Sequence, residues 1–291
     1  MKRMKRIVSG LLAGAMLLLT VFAFASCGGE KNILVICREA ASGTREAFDK
    51  YVGLSADVIT PDKEEYSSTG NVREKVANTK SAIGYISLGS VDDSVTALTV
   101  NGVAATKENV RSGAYAIQRG FLLLTSNGTA LSPAAQDFFN YCMSKTARAG
   151  IEAEKGITTA DFDTRADYTV PTAALSGTVV LKGSTSMEDV IKKLVADYQA
   201  LGGNLVSGVT FTLDFPGSGG GRTAVKEDTT GNVIGLASSS KADSAYTEHT
   251  LCLDAVAVIV NKDNTAITDV TKESLYNIFT GAVVKFSEVG K

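Results

Sequence analysis

The 291-residue chain contains no tryptophan, a single histidine and four cysteines. So few imidazoles and thiols leave little material for a His/Cys metal centre. It also lacks an excess of positive charge: 29 Lys and Arg stand against 31 Asp and Glu. That balance offers nothing to the backbone of a nucleic acid. Neither a G-x-S-x-G elbow nor a G-x-x-x-x-G-K-[ST] phosphate loop occurs. The one histidine, His249, sits in the polar stretch Thr247–Thr250 and is expected at the surface, not as a general base. Cys37 directly precedes Arg38 but falls in an apolar, strand-like run, unlike an exposed nucleophilic thiolate. The sequence therefore reads as a non-enzyme. What it has in quantity is apolar residues, 44% against 21% charged, enough to bury the core of one large or two ordinary α/β domains.

The first 26 residues read as an address. Lys2, Arg3, Lys5 and Arg6 precede an apolar run from about Leu11 to Ala25, the n-region and h-region of a signal peptide. That run is shorter than the ~20 residues a transmembrane helix needs. Phe24-Ala25-Ser26-Cys27 resembles the bacterial lipobox, in which the cysteine is acylated and becomes the new N-terminus. The competing reading is an ordinary secretory signal with an incidental cysteine. Cleavage before Cys27 removes four positive charges and leaves 25 basic against 31 acidic residues. Any anion must then be held by a local site and not by the overall field. Cys37, Cys142 and Cys252 remain, an odd number that argues against a disulfide framework; they read as small buried hydrophobes.

Short β-rich runs alternate with helical patterns. Residues 33–37, 82–86, 178–181 and 255–260 predict buried strands. Residues 187–201 repeat apolar side chains at helical spacing, with Ser186 and Asp189 as a capping box and Gly202-Gly203 at the far end. Further helices are predicted from Ser132-Pro133 and over 271–279. Between them, residues 158–177 are polar and aperiodic and read as a surface linker. Strands alternating with helices on both sides of it predict two α/β layers with mostly parallel sheets.

Four loops share one chemistry. Arg38-Glu39-Ala40-Ala41-Ser42-Gly43-Thr44 follows one predicted strand, and Gly183-Ser184-Thr185-Ser186 follows another; each leads into a helix. Phe215–Arg222 and Gly235–Ser240 supply further glycines and hydroxyls. The first amides of a helix lack internal partners and lie at the positive end of its dipole. Glycine lets an anion approach them, and Ser or Thr hydroxyls add donors. Arg38 adds a planar, permanently charged fork suited to two oxygens of a tetrahedral oxyanion. Each loop alone is usually only a helix cap or a turn. Together they gather donors where catalytic groups are scarce.

On these residues the chain resembles the phosphate-binding proteins of ABC transporters. The segments are R-x-x-x-S-G-T at Arg38–Thr44, G-S-T-S at 183–186, G-S-G-G-G at 217–221 and I-G-L-A-S-S at 234–239, supported by 82–90, 253–264 and 271–281. The likeness spans residues 32–157 and 178–291. It implies a two-lobed α/β fold of the type II periplasmic-binding-protein kind, with crossing strands as a hinge near 83–88 and 257–262. It further implies that inorganic phosphate is gripped by Arg38, Ser42, Gly43 and Thr44 from one lobe and by Thr185, Ser186, Ser218, Gly219 and Ser238 from the other. The G-S-T-S half comes second here, so the chain resembles a circularly permuted member. Residues 32–87 with 262–291 would form one lobe and 88–157 with 178–261 the other; 27–31 would be a lipidated tether. The implied setting is the outer face of the cytoplasmic membrane, the protein held there by its N-terminal lipid alone. It would be a monomer without cofactor or nucleic acid that delivers phosphate to an ABC permease. Family members that place a carboxylate in the loop matching 235–239 use it to accept the phosphate proton; here Ser238 and Ser239 stand there, and Glu39 is placed to orient Arg38. The alternatives are a binding protein for another oxyanion, such as sulfate or molybdate, and a surface phosphate sensor uncoupled from transport.

Overall fold

The computed structural model describes residues 30–290. The signal segment and Cys27, the expected acylation site, lie outside the described residues, as does Lys291. No helix among the described residues is long and apolar enough to cross a membrane.

The elements run β1 (Leu34–Arg38), α1 (Gly43–Val52), β2 (Glu64–Tyr66), α2 (Thr69–Ala77), β3 (Ala82–Ser87), β4 (Val95–Ala97), β5 (Thr99–Val100) and α3 (Lys107–Arg111). They continue as β6 (Gln118–Ser126), α4 (Pro133–Met143), α5 (Arg148–Ala153), β7 (Ser176–Gly183), α6 (Glu188–Gly202), β8 (Gly208–Asp214) and α7 (Ser218–Glu227). The chain closes with β9 (Val233–Ala237), β10 (Tyr246–Asn261), β11 (Asp269–Val270) and α8 (Lys272–Phe279). All four sequence-predicted strands and the three helices form. Two local expectations change. Helix α6 starts at Glu188 after a single 3-10 turn over Thr185–Met187, and Ser184, not Ser186, caps that turn. The glycines at 219–221 are the first turn of α7, not an open loop.

While β5 and β11 form a separate two-stranded parallel sheet, nine strands join into one mixed sheet of order β2-β1-β3-β10-β6-β9-β7-β8, with β4 also on β10. Its two ends are parallel, β2-β1-β3 and β9-β7-β8, as βαβ connections require. Its middle is antiparallel, because β10 pairs with β3 on one side and β6 on the other. The expectation of two separate, mostly parallel layers is thus corrected to one continuous sheet whose shared strand is 16 residues long.

Two large apolar cores pack against this sheet. The first gathers Val35, Phe48, Tyr85, Val258 and Phe279, with Phe48 stacked on Tyr85 at 4.0 Å. The C-terminal segment closes it: the Ile33 amide donates to the Val284 carbonyl at 2.8 Å. The second gathers Phe138, Leu181, Leu194, Tyr198 and Leu236. The chain changes core between Ile117 and Phe121 on entering β6, and between Cys252 and Ala255 inside β10. Strand β3 lies within the first half, so the crossing expected near 83–88 falls instead at 117–121, and the one expected at 257–262 falls a few residues earlier, at 252–255. Leu98, Val100, Val110 and Tyr115 also bury into the first core, where residues 88–117 were expected in the second lobe. The three cysteines are free and buried, and burial pushes the Cys37 thiol up to about 12.

The segment 158–177 is not a loose surface linker. Phe162 is fully buried in the second core, with the Arg165 guanidinium 3.6 Å from its ring centroid, and Tyr168 donates to Asp137 at 2.7 Å. A single aromatic anchor had no periodicity to reveal it. Phe162→Ala is expected to lower stability by about 3 kcal/mol, as deleting a buried Phe does. Chemical denaturation checks this, and a loss below 1 kcal/mol would show that the segment is not pinned there.

Candidate oxyanion site

The expected loops converge where the two halves meet. Ser42 caps α1, its Oγ accepting from the amides of Thr44 and Arg45. The next residues face the second half: the Thr44 and Ser186 hydroxyls lie 2.9 Å apart, and the Gly219 amide donates to the Ala41 carbonyl at 3.0 Å. Gly43 allows this approach. A Cβ there would stand 2.5 Å from Ser218 Oγ and 2.6 Å from Ser238 Oγ. Gly183, at φ 147°, brings the second strand end equally close to Leu236.

Arg38 leaves the end of β1 and is 1% exposed. Its Nε and Nη2 donate to the two Glu39 carboxylate oxygens at 2.9 and 2.8 Å, and its Nη1 donates to Thr69 Oγ1 at 3.1 Å. Glu39 therefore orients Arg38, as one reading of the sequence had it. Ser238 sits fully buried at the end of β9; it accepts from Ser184 Oγ at 2.9 Å, and its amide donates to Ser218 Oγ at 3.1 Å. Every sequence-predicted residue, from Arg38, Ser42, Gly43 and Thr44 to Thr185, Ser186, Ser218, Gly219 and Ser238, lies in this one connected cluster.

Several members had gone unseen. Thr69, the first residue of α2, is buried with its hydroxyl 3.2 Å from those of both Thr185 and Ser186. The run Ser67-Ser68-Thr69-Gly70 after β2 repeats the hydroxyl-before-helix pattern and was the available signal. Arg119 and Asp254 face each other across β6 and β10. Both are buried, with Arg119 Nε and Nη2 donating to Asp254 Oδ2 at 2.9 and 2.8 Å. Arg119 Nη1 reaches Ser238 Oγ at 3.2 Å, while Ser87 Oγ donates to Asp254 Oδ1 at 2.9 Å. Burial draws the Arg119 pKa down and the Asp254 carboxylate works against that. Finally, Arg222 in α7 makes a two-pronged pair with Glu46 in α1 at 3.0 Å on each arm, and Ser239 Oγ donates to Glu46 as well.

This arrangement can surround a small oxyanion with hydroxyls, helix-start amides and two buried guanidinium groups. It offers no nucleophile with an adjacent base. His249 lies away from it, half-buried in β10 with Nε2 2.9 Å from Thr125 Oγ1. Among the described residues no group of three or more His, Cys, Asp or Glu could hold a metal ion.

A family model described as a PBP superfamily domain matches residues 20–146 and 169–290, and the chain belongs to that family. It is similar to phosphate-binding protein PstS 2 of Streptococcus pneumoniae, at 32% identity over 290 residues, covering 93% of this chain and 95% of that protein. It is also similar to phosphate-binding protein PstS 2 of Streptococcus agalactiae, at 29% identity over 278 residues, covering 91% and 90%. Among solved structures, the phosphate-binding protein of a phosphate ABC transporter from S. pneumoniae superposes with a TM-score of 0.68 at 34% identity, over 89% of this chain and 99% of that one.

Two outcomes are expected. Gly43→Ala should leave each core intact but hold the halves apart, since its methyl meets Ser218 and Ser238; small-angle scattering should show a larger radius of gyration than wild type in the same buffer. Equal radii would mean that the junction absorbs the methyl group. The second concerns Asp49, whose Oδ1 is buried without a partner. Burial raises its carboxyl to about 6, against the pull of Arg45. The folded state then binds this proton before the unfolded chain does, so this group adds stability as pH falls from about 6 towards 3.8. Asp49→Asn should flatten the pH dependence of Tm over that window.

Proposed function

We propose that this protein is an extracytoplasmic binding lipoprotein that captures inorganic phosphate between its two halves and delivers it to an ABC permease. The observation that carries the reading is the meeting of Arg38, Arg119 and the Thr44, Thr69, Thr185, Ser186 and Ser238 hydroxyls at one buried junction. They come from the ends or starts of several elements in both halves, so the anion's contacts would be divided between the halves. A ligand held in this way favours the closed arrangement by the contacts that only that arrangement offers. The closed form would be what the permease recognises. The relatives' names support the same ligand, and the basic, apolar N-terminal segment ending at Cys27 supports export and a lipid anchor. We further read the chain as circularly permuted and monomeric. The bond between Ile33 and Val284 supports a cut within one lobe, because it sets the two ends of the folded chain side by side.

Calorimetry on the full-length protein in detergent tests the ligand. Phosphate is expected to bind at one site per chain. Arg38→Ala should weaken it at least tenfold, the loss of about 1.5–3 kcal/mol carried by a charged hydrogen bond. Thr185→Val should weaken it less. Sulfate or molybdate binding more tightly than phosphate would turn the assignment to another oxyanion, and an unaltered affinity in Arg38→Ala would place the site elsewhere.

A further inference from the structure

Beside the junction lies a groove of about 760 Å³ that the binding reading does not use. Its walls come from both halves: Glu46, Ala47, Lys50, Tyr51 and Lys272 on one side, Ser239–Lys241 on the other, with Ala116–Gly120 at the entry to the crossing strand between them. At its inner end stand Arg119 and Ser239, and Arg119 already reaches Ser238 of the oxyanion cluster. The groove therefore runs from solvent to the guanidinium that faces the site.

Its charge is one-sided. Lys50, Lys241 and Lys272 are exposed on its walls, and none of their ammonium groups forms an ion pair among the described residues. The Lys272 ammonium lies 5.8 Å from the Tyr51 ring centroid, a contact that neutralises nothing. The only carboxylate lining the groove, Glu46, is matched by Arg222. Three lysines without an ion pair thus flank the groove of a chain that carries six excess negative charges after Ser26, although Asp243 and Glu248 stand near Lys241. A second, smaller cavity of about 210 Å³ also touches the cluster, at Ser186 and Asp254. It has the opposite character: Glu154 and Asp189 line it against a single Lys155, while its third carboxylate, Asp254, is matched by Arg119. An anion approaching at random is repelled from one opening and drawn to the other. Low-dielectric walls that focus the field of like charges raise on-rates by about 10- to 1000-fold in favourable cases.

We infer that the lysine-flanked groove is the access path and outer capture surface for the oxyanion, with Lys50, Lys241 and Lys272 setting the association rate. This rests on the oxyanion-binding reading. The three lysines stand outside the buried cluster, so they act on the approach and not on the bound state. Charges at such a rim change association and its salt dependence, whereas groups in contact with the ligand change dissociation.

Rapid mixing of the full-length protein in detergent with inorganic phosphate, read by tyrosine fluorescence over a range of ionic strength, tests it. The variant K50Q/K241Q/K272Q is expected to associate about three- to tenfold more slowly at low salt. Its salt dependence should flatten and its dissociation rate stay within about twofold of wild type. The control K80Q/K145Q/K262Q, with the same change in net charge on residues exposed elsewhere, should behave as wild type. Wild-type association in the groove variant overturns the inference. So does an equal loss in the control, a loss confined to dissociation, or a second phosphate equivalent that disappears with the three lysines. A wild-type protein that binds no phosphate would fail the underlying reading instead, and calorimetry on the same sample shows that directly.

Discussion

Two helix starts meet across the junction, and that meeting governs the rest of the site. α1 opens at Gly43 and α7 at Ser218, and the chain passes close enough for Gly219 to hydrogen-bond to Ala41. Each helix brings the positive end of its dipole. Arg38 and Arg119 add full charges within the same buried volume. Such a concentration of one sign is tolerable only with carboxylates held nearby, and each guanidinium has one: Glu39 for Arg38, Asp254 for Arg119, Glu46 for Arg222. Removing one partner of a buried pair costs about 3–5 kcal/mol. The carboxylates thus belong to the site as much as the donors do, although none need touch the ligand. What remains to attract an anion is a shell of hydroxyl and amide dipoles, which suits a ligand that must also leave.

The sheet explains how this cluster is assembled from distant stretches of chain. Three antiparallel pairings separate β1 from β9, so β1 runs opposite to β7 and β9, and each set delivers the loops at its C-terminal ends, where ligands bind in open α/β sheets, to the junction from its own half. The antiparallel pair β6–β10 then places Arg119 opposite Asp254 from positions far apart in sequence. Close approach across the junction at Gly43, and within the second half at Gly183 and Gly221, depends on three absent side chains. Gly43, Gly183 and Gly221 each lie where a Cβ would meet backbone or hydroxyl at 2.0–2.7 Å.

Much of this is legible in the sequence. Arg38–Thr44 and Gly183–Ser186 announce themselves because a local pattern, strand then hydroxyl and glycine then helix, carries its own physics. The long helix and the Ser132-Pro133 start were equally local. What escaped was non-local. Arg119 and Asp254 look like stray charges in apolar strands until the register sets them face to face. Thr69 follows a strand of only three residues, too short to mark the pattern. Residues 88–117 could not be assigned to a core by periodicity, because the choice depends on which stretch of β10 they pack against. Phe162 is a lone anchor within a polar stretch.

The halves share β10 without interruption, and this limits how they can move. A joint made of flexible loops swings freely; a continuous strand must twist, and its ladder resists and restores. The one irregularity in that ladder, the register shift between Thr250 and Cys252, lies beside the point where β10 passes from one core to the other. A bulge loosens pairing locally and strengthens the twist. The molecule is therefore built less like a pair of jaws on a pin than like a leaf spring with a single soft notch, whose compliance resides in a handful of peptide units.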